Sequence, residues 1–343
     1  MNRMIEGHCA EVILADISQD GRTGSAQHWL CVRACANLTN SDSTVPSTTR
    51  QYRLPEATPT SSMESSEQHD RYYLPRDTSE SARLAAQHKV WMTNIGYILN
   101  PHIASQLPPN ARIADVGTGT GIWLEDLAAE SKDKQYHYQG FDLSKSQLAK
   151  DLSETFDFDI LNILESIPSQ WAGKFDVVHA KLLTCGLAEE DWLTAAKHML
   201  QLLKPGGWLQ WSEGANVGIL RNFSAARKPT TTSLLETAMA AAHNAGRMLK
   251  DGAHVPKTVT DAGFTEVNDD TFASDRVVET RPGFSQVSLG AFVGNMKAIA
   301  GASVDEGRIR EVEETAKKCR EELERGEVYF RADLHVVTGR RPL

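Results

Sequence analysis

Apolar residues in this chain settle into a regular pattern only after residue 70. Leu84, Val90, Trp91 and Ile95 follow a cap signal at Thr78 or Ser79, which predicts an amphipathic helix. Arg112–Val116 reads as a short buried strand that runs into a glycine-rich turn and then the first turn of another helix. Tyr136–Asp142 reads as a second strand ending in an acid. Ala188–Leu203 suits a helix, with Trp192, Leu193, Ala196, Met199 and Leu200 at its apolar positions. Gly263–Val267 and Asp333–Thr338 read as later strands. Two long stretches interrupt this alternation: 218–257, with a helix near 231–249, and 276–327, whose charged part runs from Val304 to Arg325. Structureless loops of that length are unusual in a compact domain. Both are therefore expected to be helical caps over the carboxyl ends of the strands, where α/β sheets bind ligands.

The turn after the first strand carries the chemistry. In Asp115-Val116-Gly117-Thr118-Gly119-Thr120-Gly121-Ile122, glycines alternate, so the backbone can take positive φ and approach a ligand without a Cβ in the way. The following helix directs unpaired N–H groups at the same place. A dinucleotide fingerprint would put its third glycine at Ile122, and here it falls at Gly121. The pattern D-x-G-x-G-x-G after a strand instead resembles motif I of the class I S-adenosylmethionine-dependent methyltransferases. Asp142 ends the second strand, in the interval where a carboxylate accepts from both ribose hydroxyls. Lys174–Ala180 resembles the family's fourth strand. Leu203–Trp211, punctuated by Lys204-Pro205-Gly206-Gly207, resembles its turn and fifth strand.

That resemblance implies an α/β, Rossmann-like fold with a seven-stranded, mostly parallel sheet whose last strand is antiparallel, plus helical caps. It implies S-adenosyl-L-methionine as cofactor. Gly117, Gly119 and Gly121 would let main-chain amides meet the methionine portion, and Asp115 would help to hold the amino group. Asp142 would take the ribose, with Leu143 and the pair Asn162 and Ile163 flanking adenine. The family usually has Asp where Asn162 stands, and Asp159 is the alternative. Ala180 and Lys181 would lend backbone carbonyls, while Gln87 and His88 would close over the cofactor or simply hydrogen-bond on the helix surface. Trp123 and Trp211 are expected in the core.

Further upstream, Tyr73-Leu74-Pro75, Glu80–Leu84, Gln87-His88 and Asn100–Ile103 resemble fungal secondary-metabolism methyltransferases, as does Val336–Pro342 at the end. Residues 67–343 are then the methyltransferase domain, with an N-terminal helical cap over 71–105. Residues 37–70 are rich in Ser, Thr, Pro, Asn and Gln and cannot bury enough surface to offset their ordering. Residues 1–66 are accordingly expected to be a disordered tail, with Met63 as the native start.

Composition narrows the acceptor. The 343 residues carry 45 acids against 36 bases, a net charge of −9, with no dense Lys/Arg run. Nucleic acid is not the expected substrate. No apolar window is long enough for a membrane span and no secretory signal opens the chain. Five scattered cysteines, at 9, 31, 35, 185 and 319, suit a cytoplasmic enzyme without disulfides or a zinc site.

A small, largely apolar acceptor remains, methylated on oxygen or nitrogen. A phenol or enol would need a base near neutral pH. The candidates are His179 and Glu213 at strand ends, then His243 and His254 in the first insertion. No Asp/Glu/His metal cluster appears. Leu234, Leu235, Met239 and Met248 in one insertion, and Phe284, Leu289, Phe292, Val293 and Met296 in the other, suit an acceptor cavity, with Met239, His243, Phe292 and Met296 foremost. Two other functions stay open: a regulator of the velvet-complex type, and a cofactor-binding cyclase on the same fold.

Overall fold

The computed structural model describes residues 77–148, 156–221, 229–244, 252–302 and 306–343. The expected tail and start at Met63 lie outside the described residues, as do Met248 and the side chain of His243.

Seven strands form one sheet in the order β3-β2-β1-β4-β5-β7-β6. They are β1 (Arg112–Val116), β2 (His137–Asp142), β3 (Phe156–Ile160), β4 (Phe175–Lys181), β5 (Leu203–Arg221), β6 (Thr265–Ala273) and β7 (Val328–Arg340). β1 through β5 pair in parallel, and β7 runs antiparallel between β5 and β6. This is the class I methyltransferase topology that the motifs imply. The strand order reverses at β1, and an open α/β sheet binds its ligands at the carboxyl ends flanking that point.

Central strands are buried on both faces, which is why they read as continuous apolar runs. Alternation still assigns each side chain a face. Ala114 and Val116, Val178 and Ala180, and Leu209 and Trp211 pack against α4 (Asp191–Leu202) and α6 (Val255–Asp261). Ile113, Val177 and Trp208 face α3 (Ile122–Glu130) through Trp123, Leu124 and Leu127. Asp115, His179 and Lys181 share the parity of this second face.

The first helix, α1 (Thr78–Ile95), is capped by Asp77, whose Oδ1 accepts the Glu80 N–H at 2.9 Å. The start is one residue earlier than the expected cap at Thr78 or Ser79, because Asp77 has the side-chain acceptor in reach of that amide. α1 then lays Trp91 and Ile95 on Phe330, Leu334 and Val336 of β7. Further helices α5 (Thr230–Asn244), α7 (Arg281–Ala302) and α8 (Glu306–Glu324) join this side through Leu234, Phe284, Leu289 and Cys319.

Several boundaries differ from the sequence reading. β5 continues to Arg221, paired with β7 as far as Val328, so the first insertion begins beyond 218. Its end, α6, packs with Val255 and Val259 under the opposite face and is no cap. β6 and β7 are longer than expected, because the antiparallel pairing itself supplies partners to residues with little apolar character. Asp269, Asp270 and Thr271 are examples.

Candidate active site

β1 hands the chain to the glycine loop, where Gly117, Gly119 and Gly121 have φ of +70°, +55° and +81°. Each lies in the left-handed region that favours glycine. A Cβ added at Gly117 would also stand 2.6 Å from the Leu183 side chain. The loop is tied to β2: the Gly117 and Thr118 amides donate to the Phe141 carbonyl at 2.8 and 3.0 Å. The Gly119 amide donates to Asp142 Oδ2 at 2.9 Å, and Ser144 N–H to Asp142 Oδ1 at 3.2 Å. An ionised carboxylate accepts about four hydrogen bonds across its two oxygens. α3 starts directly after Gly121, with no side-chain cap among the described residues.

Behind the loop, Asp115 is buried and its oxygens are engaged. Oδ2 accepts the Thr118 hydroxyl at 2.8 Å, and Oδ1 lies 2.7 Å from His179 Nδ1. A carboxylate partner puts the His179 proton on Nδ1. Burial lowers the His179 pKa, opposed by Asp115, so the ring is neutral. It stacks on Trp123 at 3.7 Å and 2°, and Nε2 is enclosed without a partner among the described residues. Asp115, read from the sequence as a holder of the amino group, is bonded to the loop through Thr118 and to His179, and His179, read as a candidate base, lies buried behind the loop. Trp123 and Trp211 are core residues, as expected.

Two positions beyond His179, Lys181 ends β4. Its Nζ donates to His88 Nδ1 on α1 at 2.8 Å, and His88 Nε2–H donates to Asp126 Oδ2 on α3 at 2.9 Å. His88 is buried and its pKa falls to about 2, through burial and then the neighbouring Lys181 charge. Burial also pulls Lys181 down to about 8, opposed by Asp115 and Asp126. His88 therefore belongs to an internal network and not to the helix surface. The sequence reading assigned Lys181 only a backbone role; a lysine ending an apolar strand was the available signal.

Glu213, on β5, is fully buried. Its Oε1 accepts the Leu183 amide at 2.6 Å and the Trp211 indole N–H at 2.9 Å, holding the 3-10 turn Leu183–Cys185 over the loop. Burial raises its pKa to about 8 against these hydrogen bonds. It therefore holds its proton more readily than an ordinary glutamate while bracing that turn. His254 is exposed, at the start of α6.

At the adenine side, Leu143 is half-buried just after Asp142. Asn162 is committed to its own turn: Oδ1 accepts the Leu164 amide at 3.0 Å and Nδ2 donates to Glu165 at 3.0 Å. Ile163 is in the core, and Asp159 is exposed on edge strand β3. Ala180 is buried beside Val116 in the β1–β4 register. Among the acceptor candidates, Leu234, Phe284 and Leu289 are packed inside. Phe292, Val293 and Met296 are half-buried against the α1–β7 cluster, whereas Met239 is 44% exposed. Phe292 stacks on Phe330 at 5.8 Å.

A parallel sheet reversing at β1, a left-handed glycine loop and a carboxylate ending β2 make up the class I methyltransferase fold. The sequence comparisons agree. Residues 89–255 match the family described as a methyltransferase domain. Methyltransferase grgD of a Penicillium species is 40% identical over 150 residues, 41% of this chain and 52% of that protein. N-methyltransferase gliN of Aspergillus fumigatus is 30% identical over 148 residues, 42% and 50% of the two chains. Methyltransferase str2 of Strobilurus tenacellus is 28% identical over 262 residues, 74% and 90% of the two. The chain thus spans about half the length of the first two relatives. In fold the chain is like the class I methyltransferases and in sequence it is similar to fungal secondary-metabolism methyltransferases, and S-adenosyl-L-methionine is the cofactor of that class. No helix among the described residues is long and apolar enough to cross a membrane.

Proposed function

We propose that this protein transfers a methyl group from S-adenosylmethionine to a nitrogen or oxygen of a small, largely apolar intermediate of fungal secondary metabolism. The observation that carries this is the loop of three left-handed glycines tied through Gly119 to the acid ending β2. It offers a backbone that a ligand can approach with no Cβ in the way, beside a carboxylate. The fungal relatives support the substrate class, and the name of gliN favours nitrogen.

When bound, the cofactor supplies a methyl group activated by a positive sulfur. The protein's part is alignment and exclusion of water, which together supply much of the acceleration for such a displacement. Gly117, Gly119 and Gly121 would cradle the cofactor, Asp142 would hold its ribose, and Leu143, Asn162 and Ile163 would flank adenine. Leu183, and Leu84 of α1 at 3.8 Å from a Cβ built on Gly119, wall the loop with apolar groups. His179 and Asp115 brace the loop from behind, and Glu213 braces the turn that carries Leu183. Half-buried Phe292, Val293 and Met296 would contribute to the acceptor side.

Calorimetric titration tests this reading. Wild-type protein should bind S-adenosylmethionine and S-adenosylhomocysteine with micromolar affinity, and Gly119→Val should lose both while remaining folded. Unaltered binding in that variant, or none in the wild type, would remove the proposed site.

A further inference from the structure

The strand order places the two ends of the loop on different neighbours of β1, and this bears on the far end of the cofactor. Asp142 terminates β2 on one side, and Lys181 terminates β4 on the other. A nucleoside held at Asp142 and lying along the glycine loop brings its amino-acid end to β4. That end carries an α-carboxylate beside its α-ammonium, and a cation would pair with the carboxylate.

Arg83 on α1 is already engaged, its guanidinium bonded to both oxygens of Glu80 at 2.7 and 2.8 Å. Lys181 differs. It is half-buried, and its Nζ hydrogen-bonds to a neutral imidazole. A neutral acceptor fixes the direction of an ammonium without cancelling its charge, and two donors of the ammonium remain. Val116 pairs with Ala180, so Lys181 stands beside the start of the loop at Gly117. The side chain two residues further, Leu183, would touch a Gly117 Cβ. The ionisable groups near Lys181 are Asp115 of β1, Asp126 of α3 and the neutral rings of His88 and His179. Asp115 is engaged with His179 and Thr118, and Asp126 is half-exposed, so neither forms a direct ion pair that would silence the lysine.

We propose that Lys181 binds the α-carboxylate of the cofactor's amino-acid end, and that His88, itself held by Asp126, is the positioning residue that aims it. α1 thereby senses a seated cofactor through one hydrogen bond. The proposal rests on the methyltransferase reading above.

The test compares S-adenosylhomocysteine with 5′-methylthioadenosine, which keeps the nucleoside thioether and lacks the amino acid. Calorimetry on Lys181→Met should show S-adenosylhomocysteine weakened roughly 10- to 100-fold, the usual loss for a charged hydrogen bond. Affinity for 5′-methylthioadenosine should stay within about twofold of wild type. Lys181→Arg should recover part of the loss. Asp126→Asn, at the half-exposed end of the network, should weaken S-adenosylhomocysteine a few-fold with 5′-methylthioadenosine unchanged, and it keeps the test open if Lys181→Met fails to fold. Equal weakening of both ligands, or of neither, overturns the assignment and leaves Lys181 a counter-ion to Asp115. Wild-type protein that binds neither ligand would instead refute the methyltransferase reading itself.

Discussion

The β2 side of the glycine loop is made of backbone, whereas the β4 side is made of largely buried ionisable side chains. On the β2 side, amides of Gly117 and Thr118 meet the Phe141 carbonyl, and one carboxylate, Asp142, closes the edge. These partners lie within about one strand-turn-strand unit and need little from the rest of the molecule. On the β4 side, Asp115, His179 and Glu213 are buried, Lys181 is half-buried, and each depends on another element. An unpaired buried polar group costs about 1–3 kcal/mol, so this half can exist only once α1, α3 and β5 are in place. The local half can be read from a motif, and the distributed half cannot.

The comparison is broken most severely at the loop itself. Gly117→Val combines a left-handed φ with a contact on Leu183, and cofactor binding should fall by at least 100-fold, beyond calorimetric detection. Asp142→Ala should weaken binding by about 1–3 kcal/mol, part of it through release of the Gly119 amide. Near-wild-type affinity in both would mean that the cofactor lies elsewhere.

On the charged side the loss should appear as stability. His179→Ala strips Asp115 of one partner and Trp123 of its stacked neighbour, so chemical denaturation should show about 1–3 kcal/mol less stability. A variant of unchanged stability that binds cofactor normally yet turns over 100-fold more slowly would restore His179 as the base.

Glu213 sharpens the contrast through pH. Its folded pKa of about 8 lies above the ordinary 4.5, so between these values the unfolded chain ionises while the native state keeps its proton. Stability should therefore fall as pH rises through that window and level off above about 8. Glu213→Gln should flatten this trend in melting temperature against pH, because the amide oxygen can still accept from Leu183 and Trp211. A slope unchanged in the variant would place the titration elsewhere. The smallest effect is expected at Asn162→Ala. With its side chain spent on Leu164 and Glu165, cofactor affinity should change by no more than about twofold, as for a lost exposed hydrogen bond. A tenfold loss would show that the amide turns to the adenine edge.

How far the site was legible follows the same division. Gly117, Gly119, Gly121 and Asp142 announce themselves because their role is set by φ and by distance along the chain. His179 and Glu213 could be picked out as ionisable groups at strand ends, yet the sequence offered no way to tell a base from a brace. That difference lies in Asp115, 64 residues away from His179, and in the Leu183 amide that Glu213 meets. Lys181 was visible as a residue and invisible as a cation, since its orientation depends on His88, 93 positions upstream.

By itself the sequence determined the α/β class, the place of the glycine loop and the acid that faces it. Apolar periodicity and glycine conformation are local properties, and parallel strands joined by helices leave few topologies open. Tertiary structure alone decided where β5 stops, what the insertion helices pack against, and which buried groups keep their charge. Those outcomes depend on desolvation and on partners brought together from distant parts of the chain, and no local pattern records them.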